Sequence, residues 1–134
     1  MNDYLLVALG GALGSVTRFG LTSFVAARFD ERPGSTLPWG TLLVNVSGSF
    51  LIGLILTLAE PGGRWIAAPA HRHFLVAGIC GGYTTFSAFS VQTLRLAQNR
   101  EWLLAGLNVV GSVVACLVAV WLGHLLALAF SPRR

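Results

Sequence analysis

The residues of this chain best able to handle an ion lie together in one apolar stretch, Gly78-Ile79-Cys80-Gly81-Gly82-Tyr83-Thr84-Thr85-Phe86-Ser87-Ala88-Phe89-Ser90. A helix that only faces lipid has no use for so many hydroxyls. Phe86 and Phe89 are three apart and share a helical face, as do Ser87 and Ser90, so an aromatic pair stands beside a hydroxyl track. A phenyl ring is partially positive at its edge. Ring hydrogens can therefore hold a small anion while serine and threonine hydroxyls replace part of its water. Core packing explains two phenylalanines equally well, but it leaves the hydroxyls without a purpose. The Gly81-Gly82 pair weakens the helix, and a helix that opens there frees carbonyl oxygens suited to a hard cation.

Arg18 also lies deep in an apolar stretch. An unpaired charge at that depth costs at least ~2.5 kcal/mol, so it either bonds helix-end carbonyls or sets a positive potential for an anion. Other chemistries lack their residues. Proton-coupled export of cationic drugs needs a membrane-embedded carboxylate, and Asp3, Asp30, Glu31, Glu60 and Glu101 all fall at segment ends or in connectors. Intramembrane catalysis needs a nucleophile converging on a base; His71 and His73 sit in a polar connector, and neither they nor His124 has one. Cys80 and Cys116 lie in separate apolar stretches without metal-ligand spacing and read as small buried hydrophobes.

Composition decides what must position these groups. Of 134 residues, 54% are hydrophobic and 10% charged, where a soluble domain has about a quarter charged. A bilayer core of about 30 Å needs roughly 20 apolar residues of helix. Four segments meet that length: 4–27, 39–59, 74–96 and 102–130, separated by polar connectors that leave no room for a soluble domain. Trp39, Trp65 and Trp102 fall at or beside segment ends, where indoles favour the headgroup layer; Trp121 does not. The first segment opens on Asn2 and Asp3 and is too long for a signal peptide, so it is expected to be a retained helix. Gly10, Gly11, Gly14, Gly48, Gly53, Gly106 and Gly111 are expected to let helices approach closely.

All nine basic residues are arginines, scattered singly, which argues against a nucleic-acid surface. With four spans, Arg64, Arg72, Arg133 and Arg134 lie on one side and Arg28, Arg32, Arg95 and Arg100 on the other. Such a balance gives the positive-inside rule almost nothing to act on. The chain is expected to insert both ways up and to pair as an antiparallel, dual-topology homodimer.

The run at 81–90, Gly-Gly-Tyr-Thr-Thr-Phe-Ser-Ala-Phe-Ser, resembles the third-helix signature of the small bacterial fluoride channels, the Fluc or CrcB family. Gly11-Ala12-Leu13-Gly14-Ser15-Val16-Thr17-Arg18 resembles the family's first-helix motif, and Gly40-Thr41-Leu42-Leu43-Val44-Asn45-Val46-Ser47-Gly48 its second. The likeness extends over all four segments. It implies two antiparallel subunits enclosing two fluoride pores, with Phe86 and Phe89 as the paired phenylalanines and Asn45 as a hydrogen-bonding residue near the pore. It also implies a structural sodium ion held by the backbone carbonyls of Gly81 and Thr84 from both subunits. Asn108 and Ser112, one turn apart, fit a pore-lining polar pair. Gln92 stands where many members have glutamate, and Asn108 where tyrosine is common.

The expectation is thus an all-α integral membrane protein of four transmembrane helices with its third helix broken near the middle. As implied by the resemblance, it is a passive, non-enzymatic fluoride channel of the bacterial plasma (inner) membrane, with fluoride, a second copy and the bilayer as partners. Its pathway residues are Phe86, Phe89, Asn45, Thr85, Ser87, Ser90, Gln92, Asn108 and Ser112, with Arg18 as a structural charge. The alternative is a small dual-topology multidrug or cation exporter.

Overall fold

The computed structural model describes residues 3–59 and 69–130. Trp65, Arg64, Arg133, Arg134 and Glu60 lie outside the described residues. Among these residues, six α-helical segments and one π-helix follow in order: α1 (Asp3–Arg28), α2 (Trp39–Leu58), α3 (Pro69–Arg72), the π-helix (His73–Cys80), α4 (Gly81–Tyr83), α5 (Phe86–Gln98) and α6 (Trp102–Phe130). No strand occurs among the described residues. Among the described residues, four stretches are long and apolar enough to cross a membrane: α1, α2, the run His73–Gln98, and α6.

The spans pair in two couples. α1 packs along the π-helix and α4, while α2 packs along α6. Glycine sets both seams. A Cβ on Gly10 would stand 2.9 Å from the Gly78 Cα, and one on Gly82 only 2.5 Å from the Gly11 carbonyl, so these backbones touch directly. On the second seam, Gly53 faces Val120 and Gly123 faces Phe50. Gly106 and Gly111 depart from expectation. A Cβ at either would meet nothing within 4 Å, because that flank of α6 faces outward and no helix of the protomer lies against it.

The outer surface is apolar: Phe19, Val110, Leu117 and Trp121 are all exposed. In water such a surface would drive aggregation; in lipid it costs nothing. Trp39 and Trp102 stand at the first residues of α2 and α6, on the same end of the bundle. That end is tied by its connectors. The Glu31 carboxylate accepts the Gly40 N–H at 2.8 Å, supplying the cap that Pro38 cannot, and Asn99 Nδ2 donates to the Gly34 carbonyl at 3.1 Å.

The third span is interrupted, though not at its glycines. Gly81 has helical angles (φ −64°, ψ −37°), and its amide still reaches the Val76 carbonyl five residues back. The chain leaves the helix at Thr84 (φ −83°, ψ 157°) and Thr85 (φ −151°, ψ 112°). Gly81-Gly82 was expected to be the opening because glycine weakens helices. Instead the close seam against Gly11 uses Gly82 and keeps it helical. Two adjacent β-branched threonines, whose hydroxyls compete for backbone groups, end the helix.

Candidate functional site

The break is built from backbone groups that have lost their helical partners, and its neighbours supply replacements. The Thr84 amide and hydroxyl both donate to the Cys80 carbonyl at 3.0 Å. In an unbroken helix the Thr85 amide would close on Gly81. Here it donates to Asn45 Oδ1 at 2.8 Å, while Asn45 Nδ2 donates to the Thr85 carbonyl at 3.1 Å. One carboxamide thus clamps both backbone groups of Thr85. The Thr85 hydroxyl in turn accepts the Ala88 N–H at 3.2 Å, capping α5.

Arg18 serves the other side of the break. Its Nε donates to the Gly82 carbonyl at 3.1 Å, joined by Ser15 Oγ at 3.4 Å. Of the two roles open from sequence, the geometry displays the bond to a helix-end carbonyl. Tyr83 and Ser47 add a bond at 2.8 Å between α4 and α2. Ser47 gives its own hydrogen to the Leu43 carbonyl at 2.7 Å, so Tyr83 must be the donor to Ser47.

Beside the break lies a cavity of about 470 Å³, walled by α2, the third span and α6. Asn45, Gly81, Thr84, Thr85, Phe86, Phe89 and Ser112 line it, together with both cysteines. The two rings stand 5.2 Å apart between centroids and are tilted by 46°. Phe89 is buried, whereas Phe86 is 76% exposed and projects from the protomer. The remaining predicted residues lie off this lining. Ser87 is exposed and pairs with the Thr85 hydroxyl at 3.3 Å; Ser90 is exposed and donates to the Phe86 carbonyl at 2.9 Å. Asn108 is buried one turn from Ser112. Gln92 Oε1 is buried and has no hydrogen-bond partner among the described residues.

Sequence reasoning missed several members. Cys80 is buried and Cys116 half-buried, but their walling of this cavity could not be read from separate stretches. Thr93 accepts from Asn108 Nδ2 at 2.8 Å and was not singled out. Its spacing of four from Phe89 placed it on the same face and was the available signal. Away from the break, Thr57 and His124 bond at 2.8 Å and join α2 to α6.

A broken helix clamped by its neighbours, beside a cavity lined by two rings, a carboxamide and hydroxyls in a chain with four membrane-length helices, defines a multi-pass membrane protein, since irregular backbone inside a membrane persists only where protein or a passage covers it. The family model described as CrcB-like protein, Camphor Resistance (CrcB) matches residues 5–124, and the chain belongs to that family. It is 55% identical over 134 residues, covering 100% of this chain and 98% of the relative, to a protein of Opitutus terrae called fluoride-specific ion channel FluC. Proteins of the same name from Paramagnetospirillum magneticum (54% over 127 residues, 95% of this chain and 96% of the relative) and Methylocella silvestris (50% over 132 residues, 98% of each) are similarly close.

Proposed function

We infer that this protein is a fluoride-selective channel, not an enzyme, through which cytoplasmic fluoride leaves the cell passively down its electrochemical gradient across the bacterial inner membrane. The observation that carries this reading is the cavity where Phe86, Phe89, Asn45, Thr85 and Ser112 meet at the helix break, in a chain 55% identical to a relative named as a fluoride-specific channel. Fluoride is small and strongly hydrated. A passage that strips its water must offer other hydrogens, and ring edges, hydroxyls and carboxamide N–H groups are what this site contains. The exporter alternative lacks the membrane-embedded carboxylate that would exchange a proton for a cationic drug, because every acid lies at a span end or in a connector. Fluoride efflux from proteoliposomes tests the reading. Release at a rate indistinguishable from protein-free vesicles would refute it.

The assembly follows as part of the same proposal. Phe86 projects from the protomer, and the arginine balance favours both orientations, so two antiparallel copies enclosing two pores complete the passage. A single cysteine introduced at the C-terminus, in a variant whose native cysteines are replaced, should be labelled from both faces of the membrane. Labelling from one face alone would sink the antiparallel pair.

A structural sodium ion fits the same break. The Thr85 amide that would close on the Gly81 carbonyl donates to Asn45 instead, and Thr84 is extended outside both helices, which supports a role for the backbone oxygens of these two residues in holding a hard cation. When bound, sodium would supply positive charge to these carbonyls. Exchanging sodium for N-methylglucamine should lower the melting midpoint of the detergent-solubilised dimer; equal midpoints would remove the ion from the proposal.

A further inference from the structure

Thr93, one turn beyond Phe89 on α5, starts a hydrogen-bond chain that ends at the cavity wall. Its hydroxyl donates to the Phe89 carbonyl at 2.8 Å, Asn108 Nδ2 donates to the Thr93 hydroxyl at 2.8 Å, and Ser112 Oγ donates to Asn108 Oδ1 at 3.4 Å. Each direction follows from the first. A carbonyl oxygen only accepts, so Thr93 has spent its single hydrogen on Phe89 and can only accept from Asn108. The carboxamide must then turn Nδ2 to Thr93 and Oδ1 to Ser112, and Ser112 must give its hydrogen to Asn108. Ser112 lines the cavity, so in this arrangement it shows the cavity lone pairs and no hydrogen. An anion needs the opposite.

We propose that Thr93 is a positioning residue for anion passage, acting through Asn108 to set which way the Ser112 hydroxyl points. This rests on reading the cavity as the fluoride path. The chain reverses by rotation alone. The Ser112 bond is long and weak, and the Phe89 carbonyl keeps its place in the backbone ladder of α5 without the Thr93 hydroxyl. When an anion enters, Ser112 turns its hydrogen to the ion and the carboxamide turns over. Asn108 Nδ2 then donates to Ser112, and Thr93 donates to Asn108 Oδ1. Asn108 is only 4% exposed and has no water to fall back on, so both directions require a hydroxyl at 93 that can accept in one and donate in the other. Valine at 93 matches threonine in shape but leaves the carboxamide unpaired both ways, Nδ2 without an acceptor in the observed direction and Oδ1 without a donor in the reversed one.

The test compares fluoride efflux through the unaltered protein, Thr93→Val, Thr93→Ser, Asn108→Ala and the Thr93→Val/Asn108→Ala double variant, with dimer assembly checked by size exclusion. Thr93→Val should be slower by about tenfold, because a carboxamide with no partner at 93 in either direction is no longer held in line with Ser112. Thr93→Ser should run near the parental rate. In the Asn108→Ala background, Thr93→Val should have no further effect, since the group it acts through is gone. A second readout does not depend on flux: sodium fluoride, added against a sodium chloride control, should shift the Asn108 side-chain amide signal in nitrogen-edited NMR of the parental protein and not in Thr93→Val. Parental flux through Thr93→Val, a loss equally large without Asn108, or an amide signal indifferent to fluoride would each overturn the role of Thr93 while the channel reading stands. An unaltered protein that passes no fluoride would overturn both.

Discussion

Replacing Asn45 with aspartate changes the clamp on the break by one hydrogen-bonding group. The carboxylate keeps an oxygen for the Thr85 N–H, now bonded at 2.8 Å, but sets a second oxygen against the Thr85 carbonyl where Nδ2 donates at 3.1 Å. One net hydrogen bond is lost, worth about 1 kcal/mol, and a half-buried carbonyl is left facing another acceptor, costing about 2 kcal/mol more. The total of about 3 kcal/mol lowers the population of the clamped break on the order of a hundredfold. Fluoride efflux from vesicles at neutral pH should fall accordingly. Acidification reverses the effect, because a protonated carboxyl carries an O–H that can donate to the Thr85 carbonyl in place of the lost N–H. Asn45→Leu, which has no such group, should stay slow at both pH values. Parental flux through Asn45→Asp at neutral pH would refute the clamp, and so would a loss that mild acid leaves unchanged.

Phe86→Ile and Phe89→Ile should each slow fluoride efflux by at least about tenfold, since isoleucine keeps bulk but has no ring edge to present to the ion. Because Phe86 is 76% exposed and Phe89 only 9%, the first should leave the melting midpoint of the protein nearly unchanged, and the second should cost about 1 kcal/mol. Both variants passing fluoride at the parental rate while dimeric would make the rings structural. At the neighbouring glycines the expected outcomes diverge. A Cβ at Gly82 would stand 2.5 Å from the Gly11 carbonyl, whereas one at Gly81 would meet only the Val76 carbonyl at 3.7 Å. Gly82→Ala should therefore lower the melting midpoint followed by tryptophan fluorescence, and Gly81→Ala should not; equal midpoints would contradict the seam.

Much of the site's composition was legible because membrane burial makes polarity conspicuous. Thr85 stands out in its apolar span, and the three-residue spacing of Phe86 and Phe89 puts both rings on one helical face by periodicity alone, while Asn45 and Ser112 were implied by the resemblance to the family. Their partners were not legible. Asn45 meets Thr85 across 40 positions of sequence and Arg18 meets Gly82 across 64, distances over which helical periodicity carries no information.

The sequence by itself determined that this chain spans a membrane four times, since the length and apolarity of a segment are local properties set against a bilayer of known thickness. It also placed an interruption in the third span, because helix-weakening residues announce themselves. Where the interruption fell was decided by tertiary contact. Gly81-Gly82 and Thr84-Thr85 are both poor helix, and the seam with α1 holds the glycines helical while Asn45 on α2 draws the threonines out. The direction of each hydroxyl was likewise settled only by packing. Thr93 and Ser112 each carry one hydrogen and several possible acceptors, and the choice among them belongs to whichever oxygen the facing helix brings within reach.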